Sequence, residues 1–236
     1  RHQVREMRRT FGEIAGEEKG QLKIGVTGNR GRIVLMPIVA RYLKDHPQIE
    51  IRVLEDANEG LIRRLSRGEL DVCISDLEAV QPGIRQADLY RERMVFVVQR
   101  ELFRQLYPEN SKQVIRAAGK GDYRPLQDCP LLLGREKDIA GKFSHRAMAS
   151  FDRPPVIRVE AENIAFALEL CAHGLGGCFC PEIIVRNTLT AEQMEEVLLI
   201  PLGKRGEYPI RIGWREEGRI IASFIETARE QVKGMT

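Results

Sequence analysis

The sequence predicts an α/β protein built from two blocks, and three observations carry that prediction. From Gly20 onward, short β-branched runs alternate with amphipathic helical patterns, the texture of βαβ units. The alternation pauses at the turn-rich Gly119-Lys120-Gly121-Asp122 and begins again at Leu131. A last strand and helix then follow the second block, and no linker separates the two blocks, so the chain is expected to cross between lobes twice.

Taken in order, residues 22–26 read as a strand, and Thr27-Gly28-Asn29-Arg30-Gly31 as a turn. A helix follows over 32–45, with Ile33, Ile38, Val39, Tyr42 and Leu43 expected to face inward. Pro37 falls inside that span, where a proline is tolerated only near a helix start, and His46-Pro47 ends it. Residues 49–54 form a second strand, 57–67 a helix with Leu61, Ile62 and Leu65 on one face, and 70–75 a third strand. That succession requires a parallel sheet covered by helices. A buried-type strand over 93–99 precedes helical patterning over 101–120. In the second block, strands are expected over 131–133, 156–159 and 177–180, with helices over 139–151 and 163–173. Strands over 198–202 and 210–214 and a helix over 220–232 complete the chain. Ahead of all this, Val4, Met7, Phe11 and Ile14 recur at steps of three, four and three, the spacing of a heptad seam at the end of an amphipathic helix.

Composition narrows the function. With 43% hydrophobic and 30% charged residues among 236, the chain is globular rather than disordered. Its net charge of +3 is too small and too dispersed to dictate a nucleic-acid or membrane surface. No apolar run approaches the roughly 18 residues of a membrane span, and the basic start lacks the apolar core of a signal peptide, so a cytoplasmic protein is expected. Cys73, Cys129, Cys171, Cys178 and Cys180 are odd in number and lie among apolar neighbours. That pattern fits reduced, buried thiols, with a redox-sensing pair as the alternative. Cys178-x-Cys180 has the wrong spacing for zinc, and no histidine cluster completes a site. With Arg1 rather than Met as the first residue, a removed upstream segment is expected.

No catalytic signature is present: there is no nucleophile elbow, no zinc-protease motif and no phosphate loop. His2, His46, His145 and His173 lack a local nucleophile or ligand partner, so no catalytic residue, metal or cofactor is expected. Gly25-x-x-Gly28-x-x-Gly31 before a helix could bring amides to an anion, and Glu55 at the end of the second strand could imitate a ribose-binding acid. The spacing is not that of a dinucleotide fingerprint, however, and a tight turn with no ligand explains it as well.

The order of motifs carries a resemblance. Gly20-Gln-Leu-Lys-Ile-Gly-Val-Thr, Leu35-Met-Pro37, Tyr42-Leu-Lys-Asp-His-Pro47, Leu61-Ile-Arg-Arg-Leu and Gly68-Glu-Leu-Asp71-Val-Cys-Ile74 fall in the first block. Asp128-Cys-Pro-Leu-Leu-Leu133, Val159-Glu-Ala-Glu-Asn163 and His173-Gly-Leu-Gly176-Gly-Cys-Phe-Cys-Pro181 fall in the second. The ordered set, over about residues 20–233, resembles the effector-binding domain of LysR-type transcriptional regulators. A helical segment between Glu101 and Asp122 is added to the family's pattern.

The resemblance implies two Rossmann-like subdomains joined by crossover strands, like a type 2 periplasmic binding protein. They would comprise residues 20–92 with 207–236, and residues 93–206, while 1–19 would be the end of a linker helix whose coiled coil pairs subunits. The winged helix-turn-helix domain would be missing. A small polar or anionic effector is expected in a cleft where strands end. The candidate residues are Thr27, Gly28, Asn29, Arg30, Asn58, Ser75, Asp76, Gly134, Arg135, Glu162 and Asn163. Arginines, hydroxyls and amides suit an anion, whereas Asp76 and Glu162 would suit an amine. The implied role is ligand sensing and assembly into a homodimer or homotetramer, without catalysis and without a membrane, with DNA contacted only through the missing domain. The rival readings are the solute-binding protein of a transporter and a nucleotide-dependent α/β enzyme.

Overall fold

The computed structural model describes residues 19–77, 82–216 and 218–233. The seam from Val4 to Ile14 lies outside them. The chain divides into two compact units, one holding the described residues up to Tyr90 and from Pro209 on, the other Arg91–Tyr208.

In the first unit, β1 (Gly20–Val26) is flanked by β2 (Ile49–Glu55) and β3 (Val72–Ser75), both parallel to it, and β9 (Glu207–Trp214) pairs antiparallel with β3. Leu22, Ile24 and Val26 alternate into the core, and β3 is buried on both faces, as a central parallel strand must be. The first helix starts earlier than its periodicity predicts. A turn at Gly28–Arg30 passes into a π-helical segment, Gly31–Leu35, and then into α1 (Met36–Asp45). The Met36 N–H donates to the Gly31 carbonyl. The widened turn places Pro37 at the start of regular α-helix, where its missing N–H and its ring are accommodated. The extra residue per turn also rotates the inward face. Val34, Leu35, Ile38 and Tyr42 are buried, whereas Ile33, Val39 and Leu43 are only half-buried. The Tyr42 hydroxyl lies 3.1 Å from the Ile220 carbonyl of α9 (Arg219–Val232), and its ring meets Phe224 edge-on. Leu61 and Leu65 of α2 (Asn58–Ser66) pack on Leu70, Cys73, Leu77 and Ile84.

The second unit has strand order β8-β4-β7-β5-β6. Strand β4 (Arg85–Gln99) pairs antiparallel with β7 (Gly177–Pro181) and β8 (Val197–Pro201), while β5 (Leu131–Leu133) runs parallel to β6 (Ile157–Glu160) and β7. Strand β4 begins eight residues before the expected 93, because 85–92 are mixed in burial and carry none of the apolar run that marks 94–98. The helical patterning expected over 101–120 takes the form of two helices, α3 (Arg100–Leu106) and α4 (Ser111–Gly119). Pro108 explains the break: it forces Tyr107 out of helical geometry, to φ −131°. Helices α5 (Ile139–Met148) and α6 (Ile164–Ala172) stand where expected. Two short helices were not anticipated, α7 (Glu182–Thr188) and α8 (Ala191–Glu196). The second was signalled by Thr190-x-x-Gln193, which forms a complete capping box. Phe96, Phe143, Phe179 and Tyr123 cluster in this unit's core.

Candidate functional site

Parallel pairing brings distant residues of the first unit to one sheet edge. Val26 is level with Glu55 of β2 and with Ile74 of β3. Thr27, the residues leading into α2, and Ser75-Asp76 therefore leave the sheet at the same end, the carboxyl end where such sheets bind ligands. Arg30 is 4% exposed and donates from Nη1 to Thr27 Oγ1 at 2.8 Å. Asn29 is half-buried beside it, and Gly28 is exposed. Asn58, the first residue of α2, is 5% exposed, and its Oδ1 receives no hydrogen bond. Ser75 is fully buried with its Oγ unbonded, and Asp76 is 5% exposed. Such atoms are costly to bury without a partner, and here two belong to residues named for a site from sequence alone. Asp56, which sequence reasoning missed, is also at this edge. It accepts from the Ala57 N–H at 2.8 Å and from Arg64 Nε at 3.3 Å.

The second unit has a comparable edge of its own. Leu133 is level with Glu160, and the Ala161 N–H donates to the Leu133 carbonyl. Gly134 is buried against Ile164, where a Cβ would come within 3.1 Å of the Ile164 Cδ1. Arg135 and Glu162 meet in an exposed ion pair, with Arg135 Nε donating to Glu162 Oε2 at 2.8 Å. Asn163 is the N-cap of α6, its Oδ1 accepting from the Ala165 N–H at 2.9 Å.

The glycine turn of the first unit approaches a carboxylate. A Cβ at Gly31 would lie 2.7 Å from Glu55 Oε1, and one at Gly28 would lie 3.8 Å from Glu55 Oε2. A nucleotide phosphate placed there would meet a resident negative charge. All five cysteines are free and buried. Burial pushes the Cys73 and Cys129 thiols up to about 12. A hydrogen bond with Cys178, together with burial, holds the Cys171 thiol well above its ordinary value, and burial does the same for Cys180. Thiols so protonated are poor nucleophiles. Among the described residues, no group of three His, Cys, Asp or Glu side chains is arranged to hold a metal ion, and no helix is long and apolar enough to cross a membrane.

This architecture defines a class of ligand-binding α/β modules, and comparison with known proteins places the chain within it. Residues 15–233 match the family model described as the LysR substrate binding domain. The chain belongs to that family. It is 22% identical over 182 residues to the HTH-type transcriptional regulator YcgK of Bacillus subtilis, itself described as uncharacterized, covering 71% of this chain and 54% of that protein. It is 22% identical over 184 residues to the HTH-type transcriptional regulator EstR of Acinetobacter baylyi, covering 78% and 57% respectively. The chain thus spans about half the length of the curated relatives it matches. Among solved structures, the BenM effector binding domain with its effector benzoate superposes with a TM-score of 0.67 at 24% identity, covering 92% of this chain and 95% of that one. The reduced regulatory domain of OxyR2 from Vibrio vulnificus gives 0.66 at 21%, covering 91% and 96%. Full-length CbnR in complex with its target DNA gives 0.63 at 18%, covering 96% of this chain and 75% of that one.

Proposed function

We propose that this domain senses a small polar metabolite for a cytoplasmic LysR-type transcription factor, acts without catalysis, and assembles as a homodimer or homotetramer. DNA would be contacted through another part of the full regulator. One observation carries the ligand reading: Asn58 Oδ1 and Ser75 Oγ are buried and unsatisfied at a strand-end edge, where a ligand would complete their hydrogen bonds. The proposed effector residues of the first unit are Thr27, Gly28, Asn29, Arg30, Asn58, Ser75 and Asp76. In the second unit they are Gly134, Arg135, Glu162 and Asn163.

The effector would act by preferring one conformation of the regulator over another. Converting a 1:99 population to 99:1 takes about 5.5 kcal/mol of differential affinity. The family membership supports this reading over a transporter's solute-binding protein and over a nucleotide-dependent enzyme.

A thermal-shift screen with metabolites tests the proposal, because a ligand at 100 times its dissociation constant stabilises by about 2.7 kcal/mol. Asn58→Ala and Arg135→Ala are then expected to weaken the ligand found, measured by calorimetry, while barely moving the unliganded melting temperature. Asn58 Oδ1 has no bond to lose, and the Arg135 pair is exposed. Unchanged affinity in both variants would place the regulatory site elsewhere.

A further inference from the structure

We infer that the first unit reads a neutral group that both donates and accepts hydrogen bonds, so that the effector carries a hydroxyl or a primary carboxamide; this rests on the reading of that edge as the effector site. Periodicity brings the two orphaned atoms together. Asn58, Leu61 and Leu65 stand at i, i+3 and i+7 on α2 and share one helix face, while Cys73 and Ser75, two apart on β3, share one sheet face. Leu61 and Leu65 pack on Cys73, so these are the two faces that meet. A helix crossing between parallel strands runs back against them, which sets the start of α2 beside the end of β3. Asn58 and Ser75 therefore close the strand-end side of a packed layer, at 5% and 0% exposure, and Asn58 Oδ1 and Ser75 Oγ have no hydrogen-bond partner there.

The chemistry of these two atoms selects the group. An amide oxygen only accepts, so Asn58 Oδ1 calls for a donor, whereas the Ser75 hydroxyl has a proton to give as well as lone pairs. A carboxylate supplies acceptors alone and would leave Asn58 Oδ1 unpaired. An ammonium supplies donors alone and would leave the serine proton unplaced. A hydroxyl or a carboxamide supplies both. Charge does not compete with this choice: Arg30 and Asp76, of opposite sign, are buried at the same edge, and each is held by contacts of its own in the folded chain. A neutral group adds to neither side of that balance, and the rest of the effector is free to carry either charge.

The test uses the intact chain in thermal-shift and calorimetric measurements. Hydroxylated and carboxamide metabolites are each paired with an analogue that keeps the shape and loses the donor, a deoxyfluoro compound for the hydroxyl and a methyl ketone for the carboxamide. The parent is expected to bind about tenfold more tightly than its analogue, which leaves Asn58 Oδ1 unpaired in the complex. Asn58→Leu, which has no acceptor, is expected to erase that preference, and Ser75→Ala to weaken the parent by about tenfold. Without ligand, Ser75→Ala removes an unsatisfied hydroxyl and is expected to raise the melting temperature by about 2–4 °C. A fall instead would show a hydroxyl already satisfied within the fold and would overturn the inference with no ligand in hand. Equal affinity for parent and analogue, binding confined to carboxylates or amines that lack both groups, or no binding by any hydroxyl or carboxamide member would overturn it as well. In the first two of these cases the site reading stands where Ser75→Ala still weakens the ligand. A ligand whose affinity neither variant changes would remove the site reading itself. Should Asn58→Leu fail to fold, the parent-to-analogue ratio and Ser75→Ala decide alone.

Discussion

At the scale of single residues, close approach and burial set the sensitive positions. Gly141 lies in α5 against the loop that carries Arg135, and a Cβ there would stand 2.1 Å from the Arg135 carbonyl oxygen and 2.7 Å from the Glu136 Cα. Both obstacles are backbone, so Gly141→Ala has to displace the loop, and urea unfolding should show a loss of about 1–3 kcal/mol. The thiols make a prediction about alkaline pH. Cys73 and Cys129 stay protonated to about 12 when folded, against an ordinary 9.0, whereas in the unfolded chain they ionise from that ordinary value. Their contribution to stability is therefore complete below pH 9 and is lost as pH rises toward 12. Each thiol costs about 1.4 kcal/mol by pH 10. Denaturation curves from pH 8 to 10 should fall on the alkaline side, and Cys73→Ala should flatten that fall. The same burial predicts that a thiol reagent labels native protein only at the rate of unfolding; rapid labelling at neutral pH would revive the redox-pair reading.

At the scale of elements, Asn163 separates a cap from a ligand contact. Its side chain already bonds the Ala165 N–H, so Asn163→Ala should lower unfolding free energy by about 1 kcal/mol through α6. If the side chain were held chiefly for a ligand, the same change would reduce affinity and leave stability alone. The π-helical turn at Gly31–Leu35 shows why periodicity misjudged the first helix. A 3.6-residue template cannot register an inserted residue, so it started the helix too late and turned its inward face toward Ile33 and Leu43.

At the scale of the whole molecule, assembly is the open question with a direct readout. Large apolar side chains remain exposed on each unit: Met36 and Val53 on the first, Val156, Ile157 and Phe166 on the second. Among the described residues, β2 and β6 stand at ends of the strand order. Association is expected to use α1 of one subunit and the second-unit surface around α5 of another. Sedimentation at tens of micromolar should find at least a dimer, and Met36→Glu or Phe166→Glu should shift the chain toward monomer. A strict monomer would defeat this expectation. With a net charge of +3, the chain by itself is expected to leave no sequence-specific footprint on DNA.

The alternation of apolar runs and amphipathic patterns determined most of this fold, because burial on a sheet or helix face imposes a period that survives in the chain. The ordered motifs from Gly20 to Pro181 likewise identified the family. Local chemistry also marked Asn58, Ser75 and Asp76 as edge residues, since they follow predicted strands. What only the tertiary structure decided are relations between distant segments. The extension of β4 back to Arg85 runs through a stretch of mixed burial that its own sequence pattern does not mark as strand. The Arg135–Glu162 pair joins segments 27 residues apart because β5 and β6 end together. Asp56 at the start of α2 and Glu55 over the glycine turn decide the electrostatics of the first edge. No spacing in the sequence reports where those carboxylates point, because hydrogen bonding and charge act through distances that the folded chain sets.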